Sequence, residues 1–202
     1  MTHLLKGIMF NYIYLLAVFS VLTSFPLLNP TTKWVITQNS SLTINGSTNV
    51  NKFSCTILNY PKTDTITINR ENNEALLTGT FKLNVKNFEC NNVMMTHQFR
   101  KTLKHEEFPL LYITFISLKE FPSPNQKNNP IKGLVAIKIA GITKRFDICY
   151  EFESLDNTLQ LRGSQTVNFS DFKLVAPQRL GKLVKTNDQL SVIFDLKLKK
   201  VE

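Results

Sequence analysis

Three cysteines, three histidines and a pair of adjacent glutamates are the residues of this chain whose types could do chemistry. His3 lies in an apolar leader, which leaves His97 and His105. They stand eight positions apart, about two helical turns, too far to share a metal ion from one helix without further ligands. No CxxC or HxxxH occurs, so the spacing of a zinc site is missing. Glu106 and Glu107 are neighbours in sequence. Adjacent side chains point apart, which does not suit paired acid and base work. No serine sits in a G-x-S-x-G elbow, and neither a phosphate loop nor a dinucleotide fingerprint occurs. The expectation is a protein that is not an enzyme, with no catalytic residue, no metal and no cofactor.

The cysteines are Cys55, Cys90 and Cys149. Outside the cytosol, one pair and one leftover thiol is the simplest arrangement. Cys55 with Cys90 is the first choice. Cys149 lies between Asp147 and Glu151 on the polar phase of its strand. Three free, partly buried thiols are the alternative.

The elements that would position these residues begin after a targeting segment. Lys6 precedes the almost wholly apolar stretch Gly7 to Leu22. Its length suits the core of a signal peptide better than a spanning helix. Residues 1–24 are therefore expected to be a cleaved signal, with an uncertain boundary, and residues 25–202 a single domain. The polar run Pro122 to Pro130 is a loop between strands, too short for a domain boundary. The formal charge of +9 is spread over the polar faces of strands, as at Lys132, Lys138, Lys197 and Lys199. No basic block is interleaved with exposed aromatics, so a solvated surface is the reading and nucleic acid is not an expected partner.

One helical pattern stands in the middle of the domain. Met95, Phe99, Thr102 and Leu103 recur along one side of a helix. Asn91 and Asn92 can cap its start. Pro109 forbids continuation and pushes Phe108 out of helical geometry. Nearly everything else alternates with period two. Strands are expected over Trp34 to Thr37, Leu42 to Ile44, Thr48 to Leu58, Thr65 to Ile68, Leu77 to Val85, Leu110 to Leu118, Ile131 to Ile139, around Phe146 to Phe152, Thr158 to Phe169 and Leu190 to Leu198. Leu110 to Leu118 is apolar on both phases and should be covered on both faces. Alternation of this kind marks antiparallel sheet with one packed face. A lone helix across so many strands points to an all-β barrel or strongly curved sheet with one covering helix. The fifteen Phe residues could line an interior cavity or plug it.

The order TNVNKFSC, CNNVMMTHQFRKTLKHEEFPLLYITF, IKGLVAIKIAGITKRFDICYEF, SQTVNFSDFKL and LSVIFDLKL resembles the YceI-like family over roughly residues 34 to 200. The helix with KTLKHEEFP before an apolar strand is the most specific part, and the paired KGLVAIKIAGITKRFDI hairpin the second. The Cys after TNVNKF, and FSDF followed by Pro and LGKLVK, looks like the Bacteroidetes branch. Arg145 departs from the family pattern, which often has Pro there, and the three cysteines are lacking in many relatives. The resemblance implies an extended antiparallel, lipocalin-like β-barrel of about eight strands, exported to the periplasm or secreted. It implies a long polyisoprenoid or related apolar lipid inside the barrel, as carrier or storage. A ligand-free structural or interaction barrel of the envelope is the alternative, and a homodimer is left open.

The residues that would line such an interior are the apolar phases of several strands: Phe81, Leu83, Val85, Val135, Ile137, Ile139, Phe146, Ile148, Val192 and Phe194. Phe99 and Leu103 on the helix could close or gate one end. A phosphate on the ligand would meet Arg100, Lys101, Lys104, Lys144 or Arg145 at a barrel mouth.

Overall fold

The backbone follows the period-two pattern through most of its length. The computed structural model describes residues 31–58, 60, 63–71, 74–120, 130–155, 157–179, 181 and 183–201. The expected leader and all but Pro130 of the polar loop lie outside them. Long strands run through β1 (Thr31–Ile36), β2 (Ser41–Ser47), β3 (Lys52–Ile57), β4 (Thr65–Glu71) and β5 (Glu74–Asn84). A short β6 (Glu89–Cys90) leads into helix α1 (Val93–Thr102). Then follow β7 (Leu110–Leu118), β8 (Ile131–Ile139), β9 (Ile142–Leu155), β10 (Thr158–Asn168), the two-residue strands β11 (Gln178–Arg179) and β12 (Val184–Lys185), and β13 (Gln189–Val201).

Eight of these strands close a ring in the order β1-β4-β5-β7-β8-β9-β10-β13, with β13 pairing back onto β1. Every pairing between neighbours in the ring is antiparallel. The fold is thus a closed antiparallel barrel, and its edges are paired rather than exposed.

One seam of the ring divides. β13 holds β1 along Ile36↔Leu198 to Lys33↔Val201, and holds β2 along Ser41↔Asp195 to Asn45↔Ser191. Between the two, residues 37–40 bend out of the ladder. The buried Ser40 side chain completes the interrupted pairing, accepting from the Lys197 N–H at 3.0 Å and donating to the Lys197 carbonyl at 3.4 Å. Beyond the bend β1 continues into the ring through β4, while β2 carries a flap made of β3 and β6.

Helix α1 is pinned at both ends. Asn92 accepts from the Met95 N–H at 2.8 Å as N-cap. Asn91 accepts instead from the Ser54 N–H at 2.7 Å and so ties the helix start to β3. The helix stops seven residues before Pro109. Lys104 takes a left-handed conformation with φ 55°, the His105 N–H reaches the Arg100 carbonyl and the Lys104 N–H that of Lys101. That is a Schellman ending built on a lysine instead of the usual glycine. Proline therefore does not end this helix; it marks where β7 begins.

Two expectations about strands need correction. Val85 does not extend β5; it opens a single 3₁₀ turn, Val85–Asn87, although it remains buried. Asn84 caps that turn by accepting from the Lys86 N–H at 2.9 Å, which competes with continued sheet. The strand expected over Thr48 to Leu58 begins only at Lys52, because residues 48–51 form the turn from β2. In β7 no residue is exposed: Leu111, Phe115 and Leu118 are buried, and Tyr112 and Thr114 on the other phase are partly covered. The register with β8 shifts between Phe115 and Ser117, a bulge that moves the inward phase from odd to even positions. Both phases read as apolar because one strand changes phase midway.

Candidate interior binding site

The inward faces of the ring form one hydrophobic core. Within it lies a cavity of about 30 Å³, counted as space open to the centre of a water-sized sphere. On that measure one water needs roughly 10–15 Å³, so the space suits about two waters or a short apolar group. Seven of the residues expected to line an interior do so: Phe81, Leu83, Val135, Ile137, Ile148, Val192 and Phe194.

Five expected lining residues sit elsewhere. Val85 is buried in the 3₁₀ turn that follows β5. Ile139 is buried at the end of β8, where the β8–β9 hairpin turns through Ala140 and Gly141. Phe146 is drawn aside because β9 and β10 pair no further than Cys149↔Ser164. Phe172 occupies that gap, with its ring 6.3 Å from Phe146. Phe99 and Leu103 are buried in the core but do not line the cavity, and Phe99 packs edge-on against Phe88 at 5.4 Å. The apolar side of the helix joins the common core.

Sequence reasoning missed Tyr150, Phe115, Leu42, Ile57, Tyr60 and Ser40, among others. Tyr150 shares the inward phase of β9 with Ile148, so alternation alone could have found it. Ser40 carried no signal, because its role depends on the bend between β1 and β2.

Two glycines seat the aromatic wall. Gly163 pairs with both Tyr150 and Phe194, and a Cβ there would stand 2.2 Å from the Phe194 ring. A Cβ on Gly133 would stand 2.6 Å from the Tyr150 ring. The missing side chains let Tyr150 and Phe194 lie against the strands with ring centres 5.6 Å apart. Phe115 and Phe81 extend this wall at 6.1 and 5.3 Å.

The polar groups around the cavity are mostly engaged. Ser40 holds β13. Gln165 donates to the Thr166 carbonyl at 2.9 Å. The Tyr60 hydroxyl donates to Asp64, which also accepts from the Lys82 N–H at 3.2 Å. Burial first, and then the Asp64 hydrogen bond and charge, push the Tyr60 phenol well above its ordinary range. Tyr150 differs. It is wholly buried, its hydroxyl has no hydrogen-bond partner among the described residues, and burial alone pushes its phenol up.

The chemistry-bearing residues of the sequence stay apart. Among the described residues, no group of three or more His, Cys, Asp and Glu gathers as a metal would need. His97 and the glutamates Glu106 and Glu107 are exposed, and His105 is half-buried, its Nδ1 without a partner among the described residues. Arg100 is held in place: its Nε and Nη2 donate to the Phe88 carbonyl at 3.0 and 2.8 Å, bolting the helix to the start of β6. Lys101, Lys104, Lys144 and Arg145 are exposed. Cys55 and Cys90 face each other across β3 and β6 and are joined by a disulfide, while Cys149 is free and exposed.

No family model matches the sequence, and no curated protein matches it. Solved structures do match in shape. BcnA of Burkholderia cenocepacia is 13% identical, with a TM-score of 0.58 over 78% of this chain and 95% of that one. A polyisoprenoid-binding domain from Saccharophagus degradans is 9% identical, with a TM-score of 0.54 over 82% of this chain and 97% of that one. The YceI protein of Campylobacter jejuni is 14% identical, with a TM-score of 0.50 over 62% of this chain and 73% of that one. At such identities the likeness is one of fold. With eight strands closed antiparallel, a single helix among the described residues and these neighbours in shape, the chain has the fold of the YceI-like lipocalin-type barrels.

Proposed function

We propose that this chain is an exported barrel that takes a long apolar lipid, of the polyisoprenoid class, into its interior as a carrier or store. The observation that carries the reading is the cavity: an almost wholly apolar space inside a closed ring, walled by side chains from many strands. Burial of an apolar chain there is favourable by roughly 25 cal/mol per Å² without any specific polar contact. The solved domain described as polyisoprenoid-binding supports the ligand class, and the apolar leader supports export. The cavity holds only a short segment as it stands. A long chain would enter by displacing the aromatic wall, chiefly Phe81, Phe115 and Phe194. The separated course of β9 and β10 beyond Cys149 supplies a place for the wall to yield.

The same volume favours a second reading, a ligand-free structural barrel whose own side chains fill its interior. Mass spectrometry of a lipid extract from protein purified out of its native envelope separates the two. A stoichiometric isoprenoid or other long apolar chain is the expected result. An extract without one, from protein that is folded and monodisperse, would sink the carrier reading in favour of the structural one.

A further inference from the structure

Large apolar side chains stand exposed at one end of the barrel, on three separate turns. Val50 is on the β2–β3 turn, Val93 and Met94 open the first turn of α1, and Leu183 is on the β11–β12 turn; each is at least 65% exposed. The three turns are tied together. Asn49 donates to the Leu183 carbonyl at 2.9 Å and accepts from the Lys185 N–H at 2.9 Å. Arg179 reaches the Met94 carbonyl at 3.4 Å. Thr48 bridges Thr186. Between them runs a groove of about 490 Å³, lined by Val50, Met94, Met95, Pro177 and Val184 with polar neighbours. Arg179 is the one charged residue in that lining among the described residues.

Charge decides what suits this end. Lys52 and Lys185 are exposed on the strands that lead from two of the turns, and Lys185 shares the β11–β12 ribbon with Arg179. The acids of the adjoining loop, the half-buried Asp171 and the exposed Asp188, are both engaged in local hydrogen bonds. Asp171 accepts from the Asn168 N–H, and Asp188 from the Ser170 N–H and hydroxyl. Apolar tips ringed by cations are the composition that enters a bilayer interface while the basic residues meet anionic headgroups. Side chains on separate turns around a groove also fit a fluid surface better than a flat protein face, which a contiguous apolar floor would serve.

We propose that this end docks the barrel on an anionic lipid surface, with Val50, Val93, Met94 and Leu183 entering the interface and Lys52, Arg179 and Lys185 meeting its charge. The docking is independent of any cargo in the barrel. It would hold for a ligand-free barrel, and the lipid-extract experiment does not read it.

The test is hydrogen-exchange footprinting of the full chain with vesicles, because it resolves position and so separates this end from the apolar leader. Vesicles of phosphatidylglycerol mixed with phosphatidylcholine are expected to protect residues 48–51, 92–95 and 179–186, and pure phosphatidylcholine to protect them far less. Val50→Asp, Met94→Asp and Leu183→Asp together remove exposed side chains and are expected to abolish that protection while the core amides exchange as before. Arg179→Gln with Lys185→Gln is expected to weaken binding to the anionic vesicles by roughly thirtyfold. Protection confined to the leader, equal protection on both vesicle types, or protection that survives the triple substitution would each overturn the proposal.

Discussion

At the residue scale, Tyr150 is the position where the barrel is least satisfied. Its ring is held by Gly133, Gly163 and Phe194, yet its hydroxyl finds no partner among the described residues. A buried donor without an acceptor costs free energy that its removal returns. Tyr150→Phe is therefore expected to leave the protein as stable as before or up to about 1 kcal/mol more stable in urea denaturation. A loss of about 1 kcal/mol or more would mean that the hydroxyl has a partner, such as an ordered water or a bound ligand. Most of the wall was legible from alternation: Phe81, Leu83, Val135, Ile137, Ile148, Val192 and Phe194 are inward residues on regular strands. The misses follow from irregularity. Phe146 lies where β9 has left β10, and Val85 lies where Asn84 has already turned the chain.

At the element scale, helix α1 and the flap form one unit. Asn91 joins the helix to β3, Arg100 joins it to Phe88, and the Cys55–Cys90 bond clamps β6 to β3. β6 has just two residues, Glu89 and Cys90, paired to Thr56 and Cys55, so the covalent link carries much of that junction. Closing a loop of 35 residues stabilises by roughly 3–4 kcal/mol in the chain-entropy account. Thiol counting on denatured, unreduced protein should find one reactive cysteine, Cys149, and three after reduction. Three before reduction would refute the bond. The helix itself was evident in sequence through Met95, Phe99 and the Asn cap. Its true end was not, because Lys104 in a left-handed conformation leaves no compositional mark such as a glycine would.

At the scale of the whole molecule, two buried phenols tie stability to alkaline pH. Tyr60 and Tyr150 both have their proton affinity raised above the ordinary value of about 10. Below about pH 10 the folded and unfolded chains both keep these protons, and the groups make no difference. Above it the unfolded chain releases protons that the barrel retains, so stability falls as pH rises. The urea midpoint should drop between about pH 9 and pH 11, and Tyr150→Phe should drop less than the parent. Equal slopes in the two proteins would remove Tyr150 from the account. The all-β class and the single helix were legible because periods two and 3.6 are distinct. The division of one seam into ring and flap was not, since it depends on the bend at residues 37–40 and on which half of β13 each neighbour finds.

That divided seam sets the order in which the molecule can be made. β13 pairs with β10, β1 and β2, and the Ser40–Lys197 contact spans 157 positions. Contacts of such separation form late, because the entropy of closing a long loop precedes any gain. Until residues 189–201 are present, β1 and β10 each display an unpaired edge. Pairing with another chain then competes with closure. The hazard this architecture carries is thus concentrated in the interval before the last strand is made, and it ends when that single strand is laid into place.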